Sequence, residues 1–167
     1  MRLTKNEIKS DSEIITECEN KLTDSIRDQQ ISDVPLGAFL SGGIDSALIV
    51  SLMQKINNGT TKTFTIGSTD RDFDESIIAK KISNHLCTNH QEMIISPEDA
   101  INVIPLLSGI YDEPFADSYQ IPTYLVSKLA SKEVKVCLSC DGGDELFGGY
   151  NRYIWSNTIL RTPAYLR

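Results

Sequence analysis

Six consecutive residues, Ser41-Gly42-Gly43-Ile44-Asp45-Ser46, are of the types that build an anion site. Glycines allow backbone conformations and close approaches that a Cβ forbids. A helix starting just after them aims unpaired N–H groups and the positive end of its dipole at whatever occupies the turn. Phosphate is the simplest such occupant. The common nucleotide-binding loop needs a lysine after its last glycine, and here Ile44 and Asp45 follow instead. An aspartate beside phosphates repels them unless a cation lies between, so Asp45 points to Mg2+. A tight turn with a helix cap would also use two glycines and an Asp or Ser, but it has no need of the hydroxyl of Ser41 before them.

A second such stretch is Leu138-Ser139-Cys140-Asp141-Gly142-Gly143-Asp144-Glu145-Leu146-Phe147-Gly148-Gly149-Tyr150. Turn chemistry alone would account for Asp141-Gly142-Gly143. Taken with the first loop, Asp144 is placed to be a second carboxylate on the same Mg2+, and Asp141 to stand near a reacting carbonyl. Cys137 and Cys140 have the spacing of a metal or redox pair. Without a second pair or a histidine partner they read as thiols packed at a strand end. His90 falls on a strand and reads as a partly buried structural group, His85 as an exposed helix residue, and neither is assigned to catalysis.

The elements needed to position these loops follow from the pattern of apolar residues. Leu36-Gly37-Ala38-Phe39-Leu40 reads as a buried strand, and Leu48, Ile49, Leu52, Met53 and Ile56 as one face of a helix that stops near Asn58 and Gly59. Before them, Ser10 and Glu13 form a capping box for a helix with Ile14, Cys18, Leu22 and Ile26 on one side. A second strand over 62–66 ends at Gly67, and a polar loop from Asp70 to Asp74 leads to a helix carrying Ile78, Ala79, Ile82 and Leu86. Residues 88–95 make a third strand. Ser96, Pro97, Glu98 and Asp99 open a helix that Pro105 should kink or shorten. After a loop over 111–120, Pro122 opens a helix with Leu125, Val126 and Leu129 inward, and 134–138 is a fourth strand. This alternation predicts an α/β fold, a parallel sheet with helices on both faces. In such sheets ligands bind beyond the carboxyl ends of the strands, so the loops 41–46, 67–74 and 139–144 should share one site.

Length and composition bound this reading. The chain has 167 residues, enough for one domain, and its 40% hydrophobic and 23% charged residues are ordinary for a globular protein. A formal charge of −7 argues against a nucleic-acid partner. Neither a signal peptide nor a membrane span is visible, so no membrane partner is expected. A cytoplasmic location follows, with Cys18, Cys87, Cys137 and Cys140 as reduced thiols.

The Ser41–Ser46 stretch resembles the pyrophosphate loop of the ATP pyrophosphatase (PP-loop) superfamily. With the second loop, the resemblance narrows to the C-terminal synthetase domain of glutamine-hydrolysing asparagine synthetases. It runs from about Asp33 to Tyr153 and includes Phe64-Thr65-Ile66-Gly67, Thr88-Asn89-His90-Gln91-Glu92 and Tyr111-Asp112-Glu113-Pro114. The resemblance implies an adenine nucleotide alpha hydrolase-like, Rossmann-like fold. It implies an amidotransferase-type carbon–nitrogen ligase of asparagine biosynthesis, using ATP and Mg2+. Leu40, Ile66 and Gly67 would line the adenine and ribose pocket, and Ser41, Gly42, Gly43, Asp45 and Ser46 would hold the phosphates. Ser139 and Cys140 would touch ATP, Asp45 and Asp144 would hold the metal, and Asp141 would serve the formation of an acyl-adenylate. The implied partners are aspartate and ammonia, the ammonia coming from glutamine through a glutaminase domain absent from this chain. A homodimer is among the assemblies this reading allows.

Three departures from the family pattern accompany the match. The glutaminase half normally opens with a cysteine directly after the initiator methionine, whereas this chain opens Met1-Arg2. The family continues into a helical region that supplies a lysine to the adenylation centre, whereas this chain stops at Arg167. The expectation is therefore a fragment, divided into a helical lead-in over 1–32, an ATP pyrophosphatase domain over 33–155 and a truncated extension over 156–167. Cys140 stands where glycine is usual and could crowd the nucleotide. Besides a non-catalytic nucleotide-binding remnant, two alternatives stay open. One is a paralogue acting on another carboxylate, such as a sugar acid or a β-lactam precursor. The other is a tRNA-thiolating enzyme using Cys137 and Cys140.

Overall fold

A computed structural model describes residues 10–57, 59–70, 74–113 and 117–161. Its first element, helix α1 (Asp11–Gln29), is opened by the expected capping box: Ser10 accepts from the N–H of Glu13, whose carboxylate takes the Ser10 N–H at 2.8 Å. Strand β1 (Leu36–Phe39) and helix α2 (Ile44–Ile56) follow, then β2 (Lys62–Ser68), α3 (Ser76–Leu86), β3 (Asn89–Ile95), α4 (Pro97–Ile110), α5 (Gln120–Ala130), β4 (Val136–Leu138), α6 (Gly143–Phe147) and α7 (Asn151–Arg161).

The four strands form one wholly parallel sheet in the order β3-β2-β1-β4. This is the α/β architecture predicted from the alternation of strands and helices. Successive crossovers leave β1 toward β2 and then β3, and the chain returns to the other side of β1 for β4. The crossover direction therefore reverses between β1 and β4, and at such a reversal neighbouring loops diverge and leave a crevice.

Both faces of the sheet are covered, as parallel strands require. One face packs Ala38 and Leu40 against Val50, Leu52 and Met53 of α2, Ala79 of α3 and Ile26 of α1. The other packs Phe64 against Leu129, Ala130 and Val134 around α5, with Phe39, Ile66, Met93 and Cys137 at its margin. Each fully buried Val, Leu, Met or Phe side chain in these layers contributes roughly 1.5–3 kcal/mol. Among the described residues no helix is long and apolar enough to cross a membrane.

The structure departs from the sequence expectations at several points, among them β2, which runs on to Ser68 beyond the expected 62–66, and Ile14 of α1, which is exposed. Leu48 and Ile78 are exposed, and Val50 is buried in α2 instead. The last strand starts at Val136 because Val134 still closes the turn after α5, its N–H donating to the Ala130 carbonyl at 2.9 Å. Helix α4 is not shortened at Pro105 but runs five residues past it. The proline ring removes one donor, which would have met the carbonyl of Ile101. Ile101 is exposed, so water can serve that carbonyl. Asn58, Arg71, Asp72, Phe73 and Pro114, each part of an expected loop or motif, lie outside the described residues, as do residues 1–9 and 162–167.

Candidate active site

Strand register brings the beginnings of the three predicted loops to one edge of the sheet. Phe39 pairs with Phe64 and Ala38 with Leu138. Two residues beyond the first pair come Ser41 and Ile66, and just beyond the second come Ser139 and Cys140. The first loop therefore leaves the sheet between the other two.

The first loop is braced mainly by its own hydroxyls. Ser46 is 2% exposed, and its Oγ accepts the Ser41 N–H at 3.2 Å, lies 3.1 Å from Ser41 Oγ and donates to the Gly43 carbonyl at 3.2 Å. Gly42 sits at φ +84°, where a side chain is strained. A Cβ there would also lie 3.1 Å from the Glu75 carbonyl and 3.2 Å from Ile78. The loop thus folds tightly over the start of α3. Gly43 is the N-cap of α2, and no side chain of the described residues caps that helix. Its first N–H groups open outward beside exposed Ser41, Gly43 and Ile44. A helix N-terminus left open in this way favours an anion.

Leu40 has no such opening. Its side chain is 1% exposed in the core, its N–H donates to Phe64 O at 3.0 Å, and its carbonyl accepts from Thr65 Oγ1. Leu40 is the anchor from which the loop departs. Gly67, at the end of β2, is also buried. A Cβ there would meet Ile94 at 2.5 Å, Ser76 Oγ at 2.6 Å and Asp74 Oδ1 at 2.7 Å. Asp74 makes this corner, accepting from the Ser68 N–H at 3.3 Å, the Ser76 N–H at 3.0 Å and Ser76 Oγ at 2.6 Å. The Ser76 hydroxyl bond, more than the opposing effect of burial, holds its carboxyl below the usual range. The sequence reading placed Asp74 in a polar loop without assigning it this role. The signal available was an acid two residues before a helix.

The third loop meets the first directly. Gly143 opens α6, and a Cβ there would lie 2.5 Å from Asp45 Oδ2 and 3.4 Å from Asp45 Cβ. Ser139 Oγ donates to Asp141 Oδ2 at 2.9 Å, fixing that carboxylate at the base of the loop. Cys140 is half-buried. Its thiol is pushed up by burial first and then by the negative charges of Asp141, Asp45 and Asp144. Asp144 turns its carboxylate against the backbone of Gly149. Among the described residues no three acidic, histidine or cysteine side chains form a ready-made metal cage.

The remaining candidates lie in the sheet. Cys137 packs beside Phe64 and is pushed up to about 11 by burial. A thiol so held is a poor nucleophile and a poor carrier of sulfur. His90 pairs with Thr63, which is level with Ala38, three residues short of Ser41. Its Nδ1 lies 3.0 Å from Thr63 Oγ1, and Thr63 continues to Thr88 and Ser83 in a buried polar network. Beyond the third loop, Tyr150 donates to Glu145 Oε1 at 2.8 Å, a contact that motif reading did not single out.

The asparagine synthase family model matches residues 17–167. Among similar sequences, asparagine synthetase [glutamine-hydrolyzing] 1 of Bacillus subtilis is 41% identical over 143 residues, covering 86% of this chain and 22% of the relative. Asparagine synthetase B [glutamine-hydrolyzing] of Escherichia coli is 30% identical over 152 residues, covering 80% of this chain and 27% of the relative. The chain thus spans about a quarter of the length of these relatives. Among solved structures, the glutamine-dependent NAD+ synthetase of Acinetobacter baumannii in complex with ADP superposes with a TM-score of 0.56 at 20% identity. It covers 89% of this chain and 29% of that one. The NMN synthetase of Francisella tularensis gives 0.55 at 18% identity, covering 81% and 58%. At these identities the two structures report a common fold.

Proposed function

From the premise that this chain belongs to the asparagine synthase family, we propose that it is the ATP-using portion of an amide ligase that activates the side-chain carboxylate of aspartate as an acyl-adenylate and delivers it to ammonia. The observation that carries the reading is the contact between the two glycine loops, in which the Asp45 side chain lies against the Gly143 backbone. Neither loop alone requires the other. Their meeting sets the open N-terminus of α2, with Asp45 in its first turn, beside the loop that carries Asp141 and Asp144.

The chemistry explains why such a site is useful. A carboxylate is a poor electrophile because it is anionic and lacks a good leaving group, so AMP is attached first and ammonia then displaces it. Holding the carboxylate against the α-phosphate can supply on the order of 7–11 kcal/mol through positioning alone. The open N-terminus of α2 would receive the phosphates, with Ser41, Gly42 and Gly43 as the cradle and Ser46 as its internal brace. Gly67 and Ile66 would border the adenosine, with Leu40 supporting the cradle from the core. Ser139 and Cys140 would border the nucleotide on the other side, and Ser139 would hold Asp141 toward the reacting carboxylate.

Asp45 and Asp144 would hold Mg2+. Their carboxylate oxygens are the hard donors this ion takes, and two such ligands suffice because it commonly draws its others from water and substrate phosphates. When bound, Mg2+ neutralises charge on the departing pyrophosphate. The four unpaired thiols fit the cytoplasm expected from the sequence. The ammonia would come from a glutaminase domain such as the names of the relatives imply.

ATP–pyrophosphate exchange tests this reading, run on the purified chain with Mg2+ and aspartate, with and without ammonia. Exchange that depends on aspartate supports it. Exchange with another carboxylate and none with aspartate would move the acceptor to a paralogue's substrate, and absence of any nucleotide binding would remove the reading altogether.

A further inference from the structure

Arg152, in the first turn of α7, is held by aromatic rings and makes no ion pair among the described residues. Its guanidinium carbon lies 3.9 Å from the centroid of the Tyr150 ring and 5.6 Å from that of Tyr153. The two rings are 5.9 Å apart and inclined at 49°. Tyr150 is itself tethered, since its hydroxyl donates to Glu145 Oε1 at 2.8 Å, and the Gly149 N–H donates to the Asp144 carbonyl at 3.0 Å. A continuous set of contacts therefore links the cation to the third loop, immediately beside Asp144.

Stacking holds the flat face of a guanidinium and leaves its N–H edge free, the edge that grips two oxygens of a planar or tetrahedral oxyanion at once. The surrounding charge makes such a grip useful. The two loops contribute Asp45, Asp141, Asp144 and Glu145, all acidic, and the charge of Arg152 acts directly on Glu145 and Tyr150. An anionic substrate approaching the third loop meets repulsion from these carboxylates, and Arg152 is a cation stacked beside them.

We propose that Arg152 is a substrate-binding residue whose stacked guanidinium grips an oxyanion, either a carboxylate of the acceptor or a phosphate of the nucleotide. The proposal rests on the nucleotide-dependent ligase reading above. In that reading the residue determines which anion is admitted, with Tyr150 and Glu145 as its positioning partners.

Calorimetric titration of the full chain with MgATP, and with aspartate in the presence of a non-hydrolysable ATP analogue, tests it in wild type, Arg152→Lys, Arg152→Ala and Tyr150→Phe. Arg152→Ala should weaken one of the two ligands at least tenfold and leave the other within twofold. Arg152→Lys should retain part of the affinity, because it keeps the charge and loses the fork. Tyr150→Phe should lose less than either, since the ring remains and only the tether to Glu145 goes. Loss confined to aspartate identifies a carboxylate, and loss confined to MgATP a phosphate. Equal affinity of wild type and both Arg152 variants for both ligands overturns the proposal while leaving the nucleotide site standing. Equal weakening for both ligands, accompanied by a lowered thermal midpoint in Arg152→Lys as well as Arg152→Ala, also overturns it in favour of a purely structural cation. Failure of the wild type to bind MgATP overturns both this proposal and the reading beneath it.

Discussion

The side chain of Asp45, at the start of α2, lies against the backbone of Gly143, at the start of α6, so closely that a Cβ on the glycine would stand 2.5 Å from the carboxylate. The contact joins residues 98 positions apart in the chain, and it falls between the end of the Asp45 side chain and the half-buried first residue of α6. Gly143→Ala should therefore swing the Asp45 carboxylate aside at little cost to folding. The expected outcome is MgATP binding weakened about tenfold or more with a nearly unchanged thermal midpoint. Parallel calorimetry and thermal denaturation check it, and a collapse of the midpoint would instead make Gly143 a folding residue.

Asp45→Asn and Asp144→Asn keep shape and remove charge. Each should raise the Mg2+ concentration needed for half-maximal ATP binding, by about the 10–100-fold that disturbed metal sites commonly show. Titrating Mg2+ at fixed ATP gives the number. Unaltered metal dependence in both variants takes these residues out of the metal site.

Ser46 supports the first loop from within, so its loss should register as stability before function. Ser46→Ala leaves the Ser41 N–H without its partner and should cost about 1–3 kcal/mol. Gly42→Ala, at φ +84°, should cost about 1–2 kcal/mol for the backbone conformation alone. Urea denaturation measures both. A Ser46→Ala protein of full stability that no longer binds ATP would show a hydroxyl acting on the ligand instead.

Asp141 is oriented by Ser139 and lies at the base of the third loop. Asp141→Asn should reduce the rate of adenylate formation by a larger factor than it weakens ATP binding, measured by pyrophosphate exchange and calorimetry in a chain competent for exchange. Equal losses in both would assign it to folding or to nucleotide binding.

His90 gives a pH signature. Burial, with a smaller contribution from Lys80 and against the pull of Glu92, holds its pKa below the ordinary 6.5. As pH falls through 6.5, the unfolded chain takes up a proton that folded His90 still resists, so the unfolded state binds more protons and stability declines toward the folded pKa. His90→Gln should flatten the dependence of the thermal midpoint on pH in that window. An identical slope in the variant would shift the effect to other groups.

Much of the fold could be read from local patterns because each element carries its own boundary chemistry. Ser10 with Glu13, and Ser96 with Asp99, satisfy helix N–H groups within four residues, so both caps are visible in sequence. Apolar runs such as 36–40 mark strands covered on both sides, and strands separated by helices leave parallel pairing as the natural arrangement. The errors came where the environment of a residue is set from far away. Leu48 and Ile78 have the right spacing to face inward but are exposed, and the periodicity of one helix does not say how far its neighbour reaches.

The site divides along the same line. The amino-acid sequence by itself determined the chemistry available, with glycines where a Cβ would be strained or collide, hydroxyls that bond within one loop, and acids suited to a hard cation. These are properties of single residues and near neighbours. Only the tertiary structure decided which of them meet. The β1–β2 and β1–β4 registers put the loops side by side, Gly42 packed the first loop on the start of α3, and the contact of Asp45 with Gly143 brought the two motifs together. It also placed Leu40 in the core, and it stacked Arg152 on Tyr150 beside a cluster of acids. Distances across a sheet depend on register and on the direction of crossovers, and neither is written in any short stretch of the chain.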